Sequence, residues 1–276
     1  MLSVAAAQGS TEVVRRLLDR GLDEAHRDNA GWIPLHYAAF EGYATVVDML
    51  LLAAGSRADA TDNDGRSPLL LAAQEGHLGA VERLIAAGAN VNHRSLDGKT
   101  PLRVAALEGH ADVLAVLLDA GADFSYKDAD GRSTLYLLAI NNQLAEARLI
   151  LEAAAAAHPT ASDAPLDTRN AAAACNADRD PEGRTPLHVA AWQGNAAMVE
   201  LLIRSSSSRA DDVVNAVDAE QRTPLQSASW QGHESVVWLL LKHGARVDQC
   251  CSQGATPLSI GSYQCLVSFT KKITRS

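Results

Sequence analysis

Apolar side chains recur along this chain in short blocks with helical spacing, and most blocks close on glycine. In TPLHVAAWQGNAAMVELLIRS, from Thr185 to Ser205, Pro186 opens one block and Gly194 ends it. Met198, Val199, Leu201 and Leu202 then mark a second apolar face. Thr185 is placed to cap the first helix. Pro186 sits in its first turn, where a missing N–H costs nothing, and Gly194 supplies a left-handed stop. The pattern predicts two short helices joined by a tight turn. Helices of about eight to ten residues fall below the ~12–15 at which isolated helices persist even in favourable peptides. They need neighbours.

The block is repeated. NAGWIPLHYAAFEG, NDGRSPLLLAAQEG, LDGKTPLRVAALEG, ADGRSTLYLLAINN, PEGRTPLHVAAWQG and AEQRTPLQSASWQG follow Asp28, Asp62, Ser95, Asp128, Asp180 and Asp218. A partial copy, LSVAAAQG, opens the chain at Leu2, and SQGATPLSI begins another after Cys251. The basal period is about 33, with about 19 and 5 extra residues in two of the repeats. Paired alanines (Ala38–Ala39, Ala72–Ala73, Ala105–Ala106, Ala190–Ala191) allow the two helices of a repeat to pack closely. Most second helices end on a further glycine: Gly21, Gly55, Gly88, Gly121 and Gly244. The array is expected over 1–258, with repeats starting near 1, 28, 62, 95, 128, 180, 218 and 251.

Two places break the pattern. The repeat after Asp128 has Thr134 for proline and Asn142 for the helix-ending glycine. Its second helix runs into an Ala-rich stretch and then into Pro159 and Pro165, so 155–178 reads as an inserted loop. RSSSSRADD at 204–212 is a smaller polar insertion. After GATPLSI the motif dissolves into GSYQCLVSFTKKITRS, so 259–276 is either a degenerate cap or a frayed tail. Lys271, Lys272 and Arg275 are too few to signal membrane binding. Opening inside a repeat, the chain reads as a piece of a longer array.

Composition narrows the function. Of 276 residues, 47% are hydrophobic but only 4% aromatic, which favours close-packed helices over a β-sandwich. The net charge of −9 and the pI near 5.4 argue against a nucleic-acid binder, which needs a basic face. Cys175, Cys250, Cys251 and Cys265 do not form a disulfide framework, which suggests a reducing, cytoplasmic setting. Neither a signal peptide nor a membrane-spanning apolar run is legible, so no direct membrane insertion is expected.

The 33-residue period and TPLHVAA resemble the ankyrin repeat, over roughly residues 2–258. The resemblance implies an all-α solenoid of stacked helix-turn-helix units with short β-hairpin loops, acting as a monomeric protein–protein interaction scaffold without catalysis or cofactor. LLDRGLDEAHRDNAGWIPLHYAAFEG, LRVAALEGHADV, KDADGRSTLYLLAINNQL and QSASWQGH, in that order, are similar to a subfamily that joins a long array to a P-loop NTPase-like region. That subfamily is linked to endosomal recycling of membrane cargo through sorting-nexin and retromer machinery. Those partners, an endosome-associated location and a regulatory role toward the NTPase-like region are what this resemblance implies. The chain holds no GxxxxGK[ST], so no nucleotide site is carried over.

His188 aligns with His36, Leu70, Arg103, Tyr136 and Gln226. A catalytic or metal-binding position needs fixed partners, so one that varies this widely reads as scaffold. His77, His110 and His233, each after a helix-ending glycine, read the same way. His26, His93, His158 and His243 have no metal-ligand spacing, and Cys250–Cys251 has no CxxC companion. Asp64, Asp97, Asp130, Glu182 and Glu220 form an acidic ladder beside a basic one of Arg66, Lys99, Arg132, Arg184 and Arg222. These read as neighbouring pairs at a solvated edge, the alternative being a surface for a charged peptide.

The column before the helix-ending glycine reads Ala7, Phe40, Gln74, Leu107, Ile140, Trp192 and Trp230. The next reads Gln8, Glu41, Glu75, Glu108, Asn141, Gln193 and Gln231. By the resemblance, these columns line the concave groove. Large apolar residues there are either interface anchors or partly buried against the next repeat. The candidate partner-binding set is Trp32, Phe40, Glu41, Glu75, Leu107, Glu108, Trp192, Gln193, Trp230 and Gln231. Catalytic, cofactor-binding and metal-ligating residues are not expected.

Overall fold

The computed structural model describes residues 1–54, 58–156, 178–206 and 210–260. They fall into two compact units, one up to Phe124 and one from Ser125. The first unit is built from four helix pairs: Leu2–Ala7 with Thr11–Asp19, Pro34–Phe40 with Ala44–Ala54, Pro68–Gln74 with Leu78–Ala86, and Pro101–Glu108 with Ala111–Asp119. The second has Thr134–Asn141 with Leu144–Ala156, Pro186–Gln193 with Ala196–Ser205, and Pro224–Gln231 with Glu234–Lys242. It adds the short helices Ala210–Val214 and Pro257–Ile260. Within each unit, first helices pack on first helices and second on second. This all-α stack is what the periodicity predicts.

The helix ends follow the sequence signals. Prolines 34, 68, 101, 186 and 224 open their helices. The hydroxyls of Ser67, Thr100, Ser133 and Thr223 accept from the backbone N–H three residues on, at 3.2 to 3.3 Å. Gly194 closes its helix at φ +79°, and Asn142 takes the same left-handed conformation at φ +54°. Thr185 caps its helix in a capping box with His188, whose Nδ1 accepts from the Thr185 N–H at 3.2 Å and also meets the Thr185 hydroxyl at 2.9 Å. The paired alanines are fully buried, as close packing of the two helices requires. The helix from Leu144 extends to Ala156, two residues into the range assigned to a loop. The rest of that insertion to Ala177, and the tail beyond Ile260, lie outside the described residues.

The connections between repeats are tight turns, and the one bridge with β pairing among the described residues joins Lys127 to Ser133. Asp62 N–H donates to Arg66 O (3.0 Å) and Gly65 N–H to Asp62 O (3.1 Å), closing the turn. Neighbouring turns are linked by a backbone bond, Asn63 N–H to Ala30 O at 3.0 Å in the first unit and Ala219 N–H to Glu182 O at 2.9 Å in the second. A single bond of this kind does not make a strand.

Buried polar side chains hold adjacent repeats in register. His188 Nδ1 accepts from its own N-cap backbone, Thr185 N–H, at 3.2 Å, so Nε2 carries the proton and donates to Arg222 O at 2.9 Å. His36 makes the same two contacts, with Ile33 N–H and Arg66 O, both at 3.2 Å. Gln226 reproduces them with an amide: Oε1 accepts from Thr223 N–H (2.8 Å), and Nε2 donates to Gln249 O (3.1 Å) and Ala255 O (2.8 Å). The turns carry a second anchor. The Asp62, Asp180 and Asp218 side chains are almost fully buried, and each accepts from Nε of the arginine four residues on, at 2.7 to 2.9 Å. Burial alone would raise the Asp62 and Asp180 carboxyls. At Asp62 the backbone and side chain of Arg66 bring it below the usual range, and at Asp180 the hydrogen bonds from Tyr136 and Arg184 do so.

Burial pushes His36 and His188 from 6.5 down to about 4, so both are neutral in the folded state. An unfolded chain takes up protons on them below about pH 6.5, so this stability is complete above that value. It is lost as pH falls toward about 4, by on the order of 2 kcal/mol per histidine at about pH 5. Gln226 shows that glutamine makes both contacts without titrating. His188→Gln is therefore expected to leave stability near neutral pH within about 1 kcal/mol. It should also reduce the loss between neutral pH and about pH 5 by on the order of 2 kcal/mol, as read by urea unfolding at both pH values. Equal acid sensitivity in the variant would refute the assignment.

A second expectation concerns Gly194. A Cβ there would lie 2.6 Å from His233 Nδ1, whereas one on Gly88, at φ +84°, meets nothing within 4 Å. Gly88→Ala should cost about 1 kcal/mol from backbone strain alone, and Gly194→Ala about 2–3 kcal/mol. Chemical denaturation of the two variants measures the difference.

Candidate partner-binding groove

The column before the helix-ending glycine lies at the open end of each first helix, beyond the buried alanines. In the first unit Ala7, Phe40, Gln74 and Leu107 are half-buried; in the second Ile140 is half-buried, but Trp192 and Trp230 are 46% and 62% exposed. Glu41, Glu75, Glu108, Gln193 and Gln231, one residue on, are all exposed. The next repeat fixes the backbone of this column. His110 Nε2 bonds Gln74 O and His233 Nε2 bonds Trp192 O, both at 2.9 Å, while the His233 ring lies against Gly194. These histidines hold the groove without lining it.

Trp192 and Trp230 wall a cavity of about 340 Å³ that Val189, His188, Gln226 and Ser227 also line. Among the described residues, neither indole N–H has a protein partner and neither ring touches another aromatic. Arg184 and Arg222 border the cavity already engaged. Arg184 contacts Asp180 at 2.7 Å and Glu182 at 2.8 Å; Arg222 contacts Asp218 and Glu220, both at 2.9 Å. The ladders therefore consist of pairs within single turns, with Asp64–Arg66 at 3.0 Å, Asp97–Lys99 at 2.9 Å and Asp130–Arg132 at 3.2 Å completing them.

Trp32, grouped by sequence with the partner-binding residues, is placed differently. Its Nε1–H donates to Asp62 Oδ2 at 3.0 Å, and the Arg66 guanidinium lies 5.9 Å from its ring centroid. The ring packs edge-on against Tyr37 at 4.9 Å and Phe40 at 5.5 Å. Trp32 is thus a joint between two repeats, and it covers part of Phe40. The inner aspartates that anchor the turns were not singled out from sequence. Their signal was present: aspartate recurs two residues before the acidic ladder and four before the basic one.

The geometry offers apolar contact and hydrogen-bond donors, and both ring nitrogens of His188 are occupied by scaffold contacts. Among the described residues, no group of three or more His, Cys, Asp or Glu is placed to hold a metal ion. No helix among them is long and apolar enough to cross a membrane.

Comparison with known proteins agrees with the repeat geometry. A model of ankyrin repeats in three copies matches residues 50–128 and 120–250, and a model of ankyrin repeats in many copies matches residues 2–51. Human neurogenic locus notch homolog protein 2 is 37% identical over 91 residues, covering 33% of this chain and 4% of that protein. Human ankyrin repeat and SOCS box protein 3 is 33% identical over 91 residues, covering 30% of this chain and 17% of that protein. Human protein phosphatase 1 regulatory subunit 27 is 40% identical over 67 residues, covering 24% of this chain and 43% of that protein. The chain thus matches less than half the length of each of these relatives. Their shared region is the repeat, and the repeat models run from residue 2 to residue 250: the chain belongs to the ankyrin repeat family.

Proposed function

We propose that this chain is a non-catalytic interaction scaffold that holds a partner protein segment along its groove column, with Trp192 and Trp230 as the principal anchors. Ankyrin repeats are protein–protein interaction modules, and the observation that carries the finer reading is the exposure of these two indoles. Large aromatic rings supply contact area at low entropic cost, which is why they dominate interface hot spots. Glu41, Glu75 and Glu108 make the next column acidic in the first unit, which suits a partner segment that carries basic residues.

The setting we propose is endosomal recycling of membrane cargo with sorting-nexin and retromer machinery. It rests on the resemblance of the repeats quoted above to the C-terminal array of ankyrin repeat domain-containing protein 50. A second reading makes the array a regulatory module acting on an enzymatic region, the P-loop NTPase-like region of that resemblance. The similarity to a protein phosphatase regulatory subunit favours regulation of this general kind.

The test compares the chain with its Trp192→Ala, Trp230→Ala double variant. Partners are recovered by pull-down, identified by mass spectrometry and titrated individually. Binding should weaken by at least about 2 kcal/mol while the melting temperature moves by no more than about 2 °C. A sharp fall in melting temperature with binding intact would place the tryptophans in the inter-repeat core and remove the groove assignment.

A further inference from the structure

We propose that the slot between Trp192 and Trp230 takes a proline-rich segment in the polyproline II conformation, two prolines three residues apart seating on the two indoles. This deepens the groove reading and rests on it.

The two tryptophans do not serve the core. Leu187, Ala190 and Ala191 bury the face of one helix, and Leu225, Ala228 and Ser229 bury the equivalent face of the next. Trp32 shows how this chain treats an indole used for structure: its N–H is given to a buried aspartate and its ring is packed. Trp192 and Trp230 are instead 46% and 62% exposed, and their N–H donors have no protein partner among the described residues.

Spacing selects the ligand's conformation. Trp192 and Trp230 occupy equivalent positions of Pro186–Gln193 and Pro224–Gln231, helices that pack directly on each other. Axes of packed helices lie about 8–10 Å apart. A polyproline II helix has three residues per turn and rises about 3.1 Å per residue, so positions three apart share a face at about 9 Å. A β-strand repeats on one face at about 6.7 Å, which does not match. An α-helix presents residues seven apart at about 10.5 Å, but its interior carbonyls are used within the helix and cannot receive the indole N–H groups. The polyproline II backbone makes no internal hydrogen bonds, so its carbonyls are free.

Charge points the same way. The one acidic residue lining the cavity, Asp218, already accepts from Arg222 Nε at 2.9 Å and from the backbone N–H groups of Glu220 and Arg222. The slot therefore offers donors and ring faces, with no uncommitted carboxylate to seat a basic anchor. A flat, uncharged pyrrolidine flanked by free carbonyls answers both features. The preformed conformation also lowers the ordering cost of binding.

The experiment uses the whole chain with ¹⁵N-labelled tryptophan. Its four tryptophans give four indole N–H signals, with those of Trp192 and Trp230 assigned by Trp→Phe variants. The probes are a synthetic peptide of repeated Pro-Pro-Ala, the same peptide with alanine at every proline, and an amphipathic helical peptide with leucines seven residues apart. The Pro-Pro-Ala peptide should shift the Trp192 and Trp230 signals saturably and leave Trp32 unmoved. The alanine peptide and the Trp192→Ala, Trp230→Ala chain, checked for an unchanged melting curve, should each lower the affinity ~10-fold or more. Equal or tighter binding of the alanine or helical peptide overturns the polyproline assignment and leaves the groove standing. So does failure of Pro-Pro-Ala to shift either signal while partner capture still depends on the two tryptophans. Loss of that dependence overturns the groove reading itself.

Discussion

Within each unit, joints between repeats work under one constraint: short helix starts and adjoining turns are buried with their backbone polar groups, and those groups must find partners across the joint. His36, His188 and Gln226 meet it identically, accepting from the N–H of their own N-cap residue and donating to a carbonyl in the next turn. These three side chains share an acceptor and a donor at a fixed separation, although the same column carries Leu70, Arg103 and Tyr136 in other repeats. Imidazole and a primary amide both provide that. Each bond adds only about 0.5–1.5 kcal/mol net, but leaving a buried group unmet costs about 1–3 kcal/mol. The network therefore fixes which register of neighbouring repeats is allowed, while burial of Leu69, Leu102, Leu187 and their equivalents supplies the drive to stack.

Much of this was legible in the sequence because the signals are local. Proline at the first helical position, serine or threonine before it and glycine after the last turn act within one helix; Asn142, which reads as a break in the pattern, takes the left-handed conformation of the glycine it replaces. Pairings across a repeat were not legible. Trp32 stands out as a large aromatic residue where other repeats carry arginine or lysine, but only the fold shows that Asp62, 30 residues on, takes its N–H. Periodicity shows that a position matters, but it does not say which atom across the joint it meets.

The longest spacing in the array shows how far this arrangement tolerates interruption. Repeat starts at 128 and 180 are separated by far more than the basal period, yet Tyr136 of one repeat donates its hydroxyl to Asp180 of the next. Burial, and then this hydrogen bond to Asp180, hold the Tyr136 hydroxyl above its ordinary value of 10, so it remains a donor. Lys127 Nζ adds a contact to Asp178 Oδ1 at 2.6 Å. Lengthening a closed loop from about 33 to about 52 residues costs only about 0.4 kcal/mol in chain entropy. One additional hydrogen bond offsets that. Insertion is therefore inexpensive wherever the turn on its far side keeps its anchoring aspartate.

The repetition that saturates the joints also leaves the groove column uncommitted. Next to the helix-ending glycine, the joint uses the carbonyl oxygen and not the side chain: His110 takes Gln74 O, and His233 takes Trp192 O. Backbone position is fixed there whichever residue is present. Ala7, Gln74, Leu107 and Trp230 can thus occupy equivalent sites in one chain, from half-buried to 62% exposed. At Gln74 and Trp192 a side-chain change leaves in place the carbonyl hydrogen bond that holds the stack. Adjacent columns obey the opposite rule, since alanine at 190 and 191 is fully buried and a larger side chain would force the helices apart. Under the proposed groove reading, binding specificity and stability fall to different positions of the same eight-residue helix.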